Sequence, residues 1–258
     1  MLEEPYHWVE AVRNRREYVE EQLRPVSPAV GLAYGDGILL LTGSTGPRKL
    51  FEVYDRIAFA GVGHSADLEK LRKAAIDLAH LDGYTLSPAD VTVHRLVSAG
   101  LGPLVRAAFD GVLHSPFTAR VLLAELDPPV DGPTDGALFF TVEPDGAFTP
   151  AGRMAAVAGS VAAAAAAGSE LETAAGDLPL DRALVVALRG WAAGILAGRG
   201  LEADADRLSE ALPGLLENQR LQAAVLDRTV PTRSKFRHLS PEVVGAAVAV
   251  LSGTGGAR

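Results

Sequence analysis

Between Tyr6 and about Leu23 the apolar residues Trp8, Val9, Val12, Tyr18 and Val19 recur at roughly helical spacing among charged positions, which predicts an amphipathic helix. Pro5 suits its first turn and Pro25 its end. Apolar residues on both sides of Gly35-Asp36-Gly37 predict a β-hairpin over residues 28–42, because Asp-Gly favours a tight turn. Residues 50–63 read as two more strands, LFEVYD and RIAFAGVG, turning at Asp55-Arg56. Leu68, Leu71, Ala75, Leu78 and Ala79 then make one face of a helix over residues 65–81. Ser65 is its expected N-cap, and Asp67 and Glu69 suit the first turn. Ser87-Pro88-Ala89-Asp90 reads as the start of a second helix, which runs past Gly100-Leu101-Gly102 to about Phe109.

The centre of the chain returns to strand patterns at residues 119–127 and 137–143, on either side of a Pro/Asp/Gly loop. Pro144-Asp145-Gly146 is a further turn. A short strand is expected at 154–158, broken at Gly159. Alanine-rich helices follow at 160–175 and 180–198. Residues 198–213 read as an irregular acidic insertion, which suits an outer-surface loop. The last strands are expected at 221–227 and 235–239, and Ser240 is expected to cap a closing helix. The tail, from about 252 to 258, reads as disordered.

Blocks of strands thus alternate with pairs of helices. That order argues for one α/β domain over residues 1–258, a four-layer α/β/β/α sandwich with an N-terminal helix at about 6–24, rather than a regular βαβ sheet. A chain of 258 residues is long enough for such a core. Aromatics make up only 6% of it, so Ala, Val and Leu must fill that core.

Charge and composition exclude several functions. A net charge of −8 leaves no general basic surface for nucleic acid. The absence of cysteine removes disulfides, thiol nucleophiles and Cys-ligated metals, and is compatible with a reducing cytosol. The six histidines (7, 64, 80, 94, 114 and 238) lack metal-binding spacing. No glycine-rich phosphate loop follows a strand. The charged N-terminus is unlike a signal peptide, and the most apolar stretches are too short or too interrupted to span a bilayer, so a soluble protein is expected.

Four stretches resemble the proteasome subunit family, which has the Ntn-hydrolase fold, and are most similar to the α-type subunits of actinobacterial 20S proteasomes. They are RNRREYVEEQLRPVSPAVGLAYGDGILLLT, KLFEVYDRIAFAGVGHSADLEKLRKAAIDLAHLDGY, GPLVRAAFDGVLHSPFTARVLLAELD and AAVLDRTVPTRSKFRHLSPEVV. The second carries most weight: a lysine, an apolar-acidic-aromatic strand, a Tyr-Asp-Arg turn, a glycine-ended strand and a long helix.

The resemblance implies a non-catalytic subunit that needs no cofactor or metal and works in the cytoplasm. Its copies would close a heptameric ring that stacks on β-type subunits. Residues before the first helix (Met1, Leu2, Glu3, Glu4, Pro5, Tyr6, His7 and Trp8) would act as a gate for unfolded, tagged protein substrates. Lys49, with Gly63 and His64, would receive the carboxylate tail of an ATPase activator ring.

On residue type alone, Lys49 is most simply a solvated surface lysine. In β-type relatives a lysine at this position serves catalysis by a processed N-terminal threonine. The matching nucleophile position here falls at Ser27, which follows Val26 and precedes Pro28, with Gly43 where an acidic group would be needed. Two readings beside the α-type one therefore stand: a β-like peptidase using Ser27, and a stand-alone structural ring. Tyr54-Asp55-Arg56 is expected to fix a turn, with Arg56 paired to Asp55 or to a neighbouring subunit, and Ser44 and Thr45 are expected to be turn residues.

Overall fold

A computed structural model describes residues 5–111, 115–128, 138–174 and 177–253, with side chains from residue 9 onward except that of residue 205. The first helix, α1, is Pro5–Leu23. Two hairpins follow: β1 (Ala29–Tyr34) with β2 (Gly37–Ser44), and β3 (Leu50–Tyr54) with β4 (Ile57–Gly63). Next come the helix α2 (Ser65–Thr85), a 3₁₀ turn at Pro88–Asp90, and α3 (Val93–Arg95), which passes through a π-helical turn, Leu96–Leu101, into α4 (Gly102–Asp110). Strands β5 (Ala119–Glu125), β6 (Phe139–Val142), β7 (Phe148–Ala151) and β8 (Met154–Val157) lead to helices α5 (Val161–Leu171), α6 (Leu180–Gly198) and α7 (Ala205–Leu216). Strands β9 (Arg220–Asp227) and β10 (Phe236–His238) and the helix α8 (Pro241–Leu251) complete the chain.

The strands form two five-stranded sheets, ordered β10-β9-β2-β1-β8 and β3-β4-β5-β6-β7, with antiparallel pairing throughout. Strand alternation sorts their side chains into three cores. Ala29, Ile38 and Leu40 of the first sheet meet Leu50, Ala58 and Leu122 of the second in the central layer. Their sequence neighbours Val30, Leu32, Leu39 and Leu41 face outward onto α5, α6 and α8. Phe59, Val121, Leu123 and Phe140 face the other way, onto α2 and the α3–α4 helix. The expected four-layer α/β/β/α sandwich is the observed one.

Local departures from expectation have local causes. Ser65 is the first helical residue of α2, not its cap; His64 holds the cap position with no side-chain bond, and its backbone N–H donates to Thr118 O at 2.8 Å. Helix α2 runs on to Thr85, four residues beyond the expected end. Ser87-Pro88-Ala89-Asp90 closes only a 3₁₀ turn, and α3 starts afresh at Val93 under a Thr92 cap. Strand β7 was not expected, since its Pro150 weakens a strand pattern; as an edge strand it tolerates the missing donor. The Ser160-capped α5 ends at Leu171, and residue 175 lies outside the described residues. Residues 198–213 are not an irregular insertion: Asp204 caps α7, whose Leu208, Leu212 and Leu215 are buried at helical spacing against the α6 side of the core. Of the tail, residues 254–258 lie outside the described residues.

Candidate functional site

The loop from Gly43 to Lys49 and the start of α2 border one cavity of about 590 Å³. Lys49, Gly63 and His64, which lie on two separate strand ends, all line it, and so does Ser27. The chain brings them together because β2, β3 and β4 follow one another through tight connections. Ser44 folds the loop: its hydroxyl donates to Pro47 O at 2.9 Å and accepts from the Gly46 N–H at 3.1 Å. Arg48 and Lys49 follow directly, and the Lys49 backbone N–H donates to Gln222 Oε1 at 2.9 Å.

The Lys49 side chain makes no ion pair with any described carboxylate, and burial pushes its ammonium below the ordinary lysine value. Glu69 is the carboxylate on the cavity wall. It is doubly bonded to Arg72 at 2.8 Å and lies 3.5 Å from Lys73, and the Arg72 bond chiefly holds its pKa at about 2. Burial first, and then the Arg48 charge, lower the pKa of His238.

Gly63 and His64 mark the turn from β4 into α2. Gly63 has φ of +129°, and a Cβ there would run into Thr118 O, so glycine is required by the backbone itself. The His64 imidazole is exposed at the cavity rim, and its carbonyl accepts from the N–H groups of Asp67 and Leu68.

Ser27 is buried and internal to the chain, with Val26 before it and Pro28 after it. Its Oγ accepts a hydrogen bond from Trp191 Nε1 at 2.8 Å. At Gly43, where a supporting carboxylate would be needed, a Cβ would lie 2.7 Å from Trp191 Cζ2 and 2.9 Å from Ser27 Oγ, and would clash with Gln219 Oε1. The space in which an acid–base group could stand is therefore filled by Trp191 and Gln219. Neither residue was singled out in the sequence, although Trp191 is one of only two tryptophans in the chain.

Of the expected gate, Met1, Leu2, Glu3 and Glu4 lie outside the described residues, while Pro5, Tyr6, His7 and Trp8 form the first backbone turns of α1. Within the chain Arg56 pairs not with Asp55 but with the buried Glu125, 3.2 Å away. Asp55 instead binds Arg233 at 2.7 Å. Among the described residues no cluster of His, Asp or Glu is placed to hold a metal, and no helix is long and apolar enough to cross a membrane.

Two facing antiparallel sheets sheathed by helices are the arrangement expected of a proteasome-type subunit with the Ntn-hydrolase fold. No family model matches the chain. It is 32% identical over 234 residues to the proteasome subunit alpha of Gordonia bronchialis, covering 89% of this chain and 82% of that one. It is 31% identical over 243 residues to the proteasome subunit alpha of Actinosynnema mirum, covering 93% and 83%. For the same subunit of Streptomyces coelicolor the identity is 28% over 254 residues, covering 96% and 89%. The chain belongs to the bacterial proteasome α-subunit family.

Proposed function

We propose that this chain is a non-catalytic outer-ring subunit of a bacterial 20S proteasome core, working in the cytoplasm. Its copies close a heptameric ring stacked on β-type subunits, and the peptidase chemistry belongs to those partners. Residues 1–8 gate the entry of unfolded, tagged proteins. Lys49, lined up with Gly63 and His64, receives the terminal carboxylate of an ATPase activator.

The observation that carries this reading is the shared cavity of Lys49 and Ser27. Lys49 is partly dehydrated and has no carboxylate partner among the described residues, so an incoming carboxylate gains a charge-assisted bond of about 1.5–3 kcal/mol. Ser27 lies inside the chain between Val26 and Pro28, and its Oγ accepts from Trp191, which supports a structural role for it.

The test has two stages. Native mass spectrometry of the chain with its β-type partner is expected to give a stacked complex in which this chain keeps residues N-terminal to Ser27. Lys49→Ala is then expected to assemble normally and lose activator-stimulated degradation. Unchanged stimulation in that variant sinks the docking role, and a mature N-terminus at Ser27 sinks the non-catalytic reading.

A further inference from the structure

The cavity carries more positive charge than one terminal carboxylate needs. Arg48 and Lys49 are sequence neighbours, and both line it. Neither side chain has an ion-pair partner among the described residues, in a chain whose net charge is −8. Glu69 cannot balance them, because Arg72 and Lys73 already flank its carboxylate. The opposite wall is the start of α2, where the capping His64 makes no side-chain bond and Asp67 of the first turn accepts from the Thr118 N–H at 3.0 Å.

Two cations on one cavity offer partners for both carboxylates of a single C-terminal Asp or Glu, one on the main chain and one on the side chain. Apolar wall residues Val26, Phe51 and Leu68 suit an apolar residue just before that end.

From this charge pattern we infer that the Lys49 cavity selects protein tails ending in an acidic residue, with Lys49 taking the terminal carboxylate and Arg48 the side-chain carboxylate. The inference rests on the docking reading above and adds to it the chemistry of the last residue. Arg48 is the specificity-determining side chain. Being exposed, it adds selectivity rather than most of the affinity.

Fluorescence anisotropy on the assembled full-length protein tests this with three labelled octapeptides. They share seven residues, ending in Ala-Leu, and finish in Glu, in Gln, or in Glu with an amidated terminus. The Glu peptide is expected to bind about three- to fivefold more tightly than the Gln peptide at low salt, the scale of one partly exposed ion pair. In Arg48→Gln the preference should disappear, the Glu peptide losing more affinity than the Gln peptide. In Lys49→Ala and with the amidated peptide, binding should be lost. Equal affinities in the unmodified protein, with Lys49 dependence kept, overturn the acidic selectivity and leave the docking reading standing. Equal loss of both peptides in Arg48→Gln also overturns it. No binding of either free-acid peptide overturns both.

Discussion

The Trp191 indole N–H donates to Ser27 Oγ across 2.8 Å, and both residues are buried. This bond joins the segment between α1 and β1 to the middle of α6, at the serine expected from the sequence to match a β-type nucleophile. It uses the serine oxygen as an acceptor. Ser27→Ala is therefore expected to leave peptide hydrolysis by the assembled particle unchanged. The same substitution should lower the unfolding free energy of the chain by about 1–3 kcal/mol, because a buried indole N–H loses its acceptor. Trp191→Phe removes donor and ring edge together and leaves a cavity as well as a free hydroxyl. Urea denaturation and a peptidase assay check both; lost hydrolysis in a folded Ser27→Ala particle would return Ser27 to the chemistry.

Gly63 lines the Lys49 cavity, yet its glycine is explained by the backbone. With φ at +129° and Thr118 O against any Cβ, Gly63→Ala should destabilise the chain by about 1–3 kcal/mol or more. Gly46, in the loop on the same cavity, has open space around it, so Gly46→Ala should stay within about 0.5 kcal/mol. Thermal melts of the two variants separate a backbone requirement from a binding one.

Burial lowers the Lys49 ammonium from its ordinary value of 10.5. Between the lowered value and 10.5 the folded chain binds fewer protons than the unfolded chain, so this group makes stability rise with pH in that window. Below the window the buried charge is a cost. Lys49→Met is expected to be more stable than the parent at pH 7, and the difference should shrink as pH approaches 10.5. Denaturant titrations of both proteins from neutral to alkaline pH measure this difference directly.

Glu125 gives the opposite slope at the other end of the pH scale. Its Oε2 accepts from the Val93 N–H at 2.7 Å, and Arg56 lies 3.2 Å away, but burial dominates and raises its pKa above 4.5. A raised carboxyl favours the folded state most below pH 4.5, and that contribution is lost as pH rises through the folded value. Glu125→Gln keeps an acceptor for Val93 and should abolish this slope. Glu125→Ala strands the Val93 donor and the Arg56 charge, and should cost about 2–4 kcal/mol at neutral pH. Stability measured from pH 4 to 7 in the three proteins tests the sign.

The architecture was legible wherever periodicity and turn chemistry agreed. Gly35-Asp36-Gly37 marked the β1–β2 hairpin, Asp55-Arg56 the β3–β4 turn, and the Leu68–Leu71–Ala75–Ala79 stripe the buried face of α2. Two failures share a cause. Acidic residues around α7 obscured the spacing of Leu208, Leu212 and Leu215, and Pro150 obscured β7; in both, tertiary burial or an edge position outweighs local composition. Lys49 could be found in the sequence because a recognisable segment surrounds it. Trp191 and Gln219 lie roughly 150 residues or more downstream of the loop they pack against. Only folding of α6 and the start of β9 onto β2 brings them there. Glu125 was missed as the Arg56 partner for the same reason, since it reaches Arg56 through the β4–β5 pairing.

That long-range logic is sharpest at Arg120, a buried arginine on β5. Its guanidinium binds Glu20 of α1, Glu143 at 2.7 Å and the Ala158 carbonyl at 2.8 Å. From residue 9 onward helix α1 is otherwise mostly exposed, with Val19 and Leu23 buried and Arg15 bonded to Phe109 O at 2.7 Å. Arg120→Met should therefore cost about 2–4 kcal/mol, because Glu20 and Glu143 lose a buried cation and the Ala158 carbonyl loses its donor. The loss should be local before it is global. Hydrogen exchange is expected to speed up across α1 while β1 and β2 keep their protection. Arg16→Ala, which removes only an exposed pair with Asp145 at 3.4 Å, should change little. If residues 1–8 form the proposed gate, the loosened α1 of Arg120→Met also raises peptide hydrolysis without activator. Uniform exchange across α1 and the sheets would instead make Arg120 a general stabiliser with no particular hold on α1.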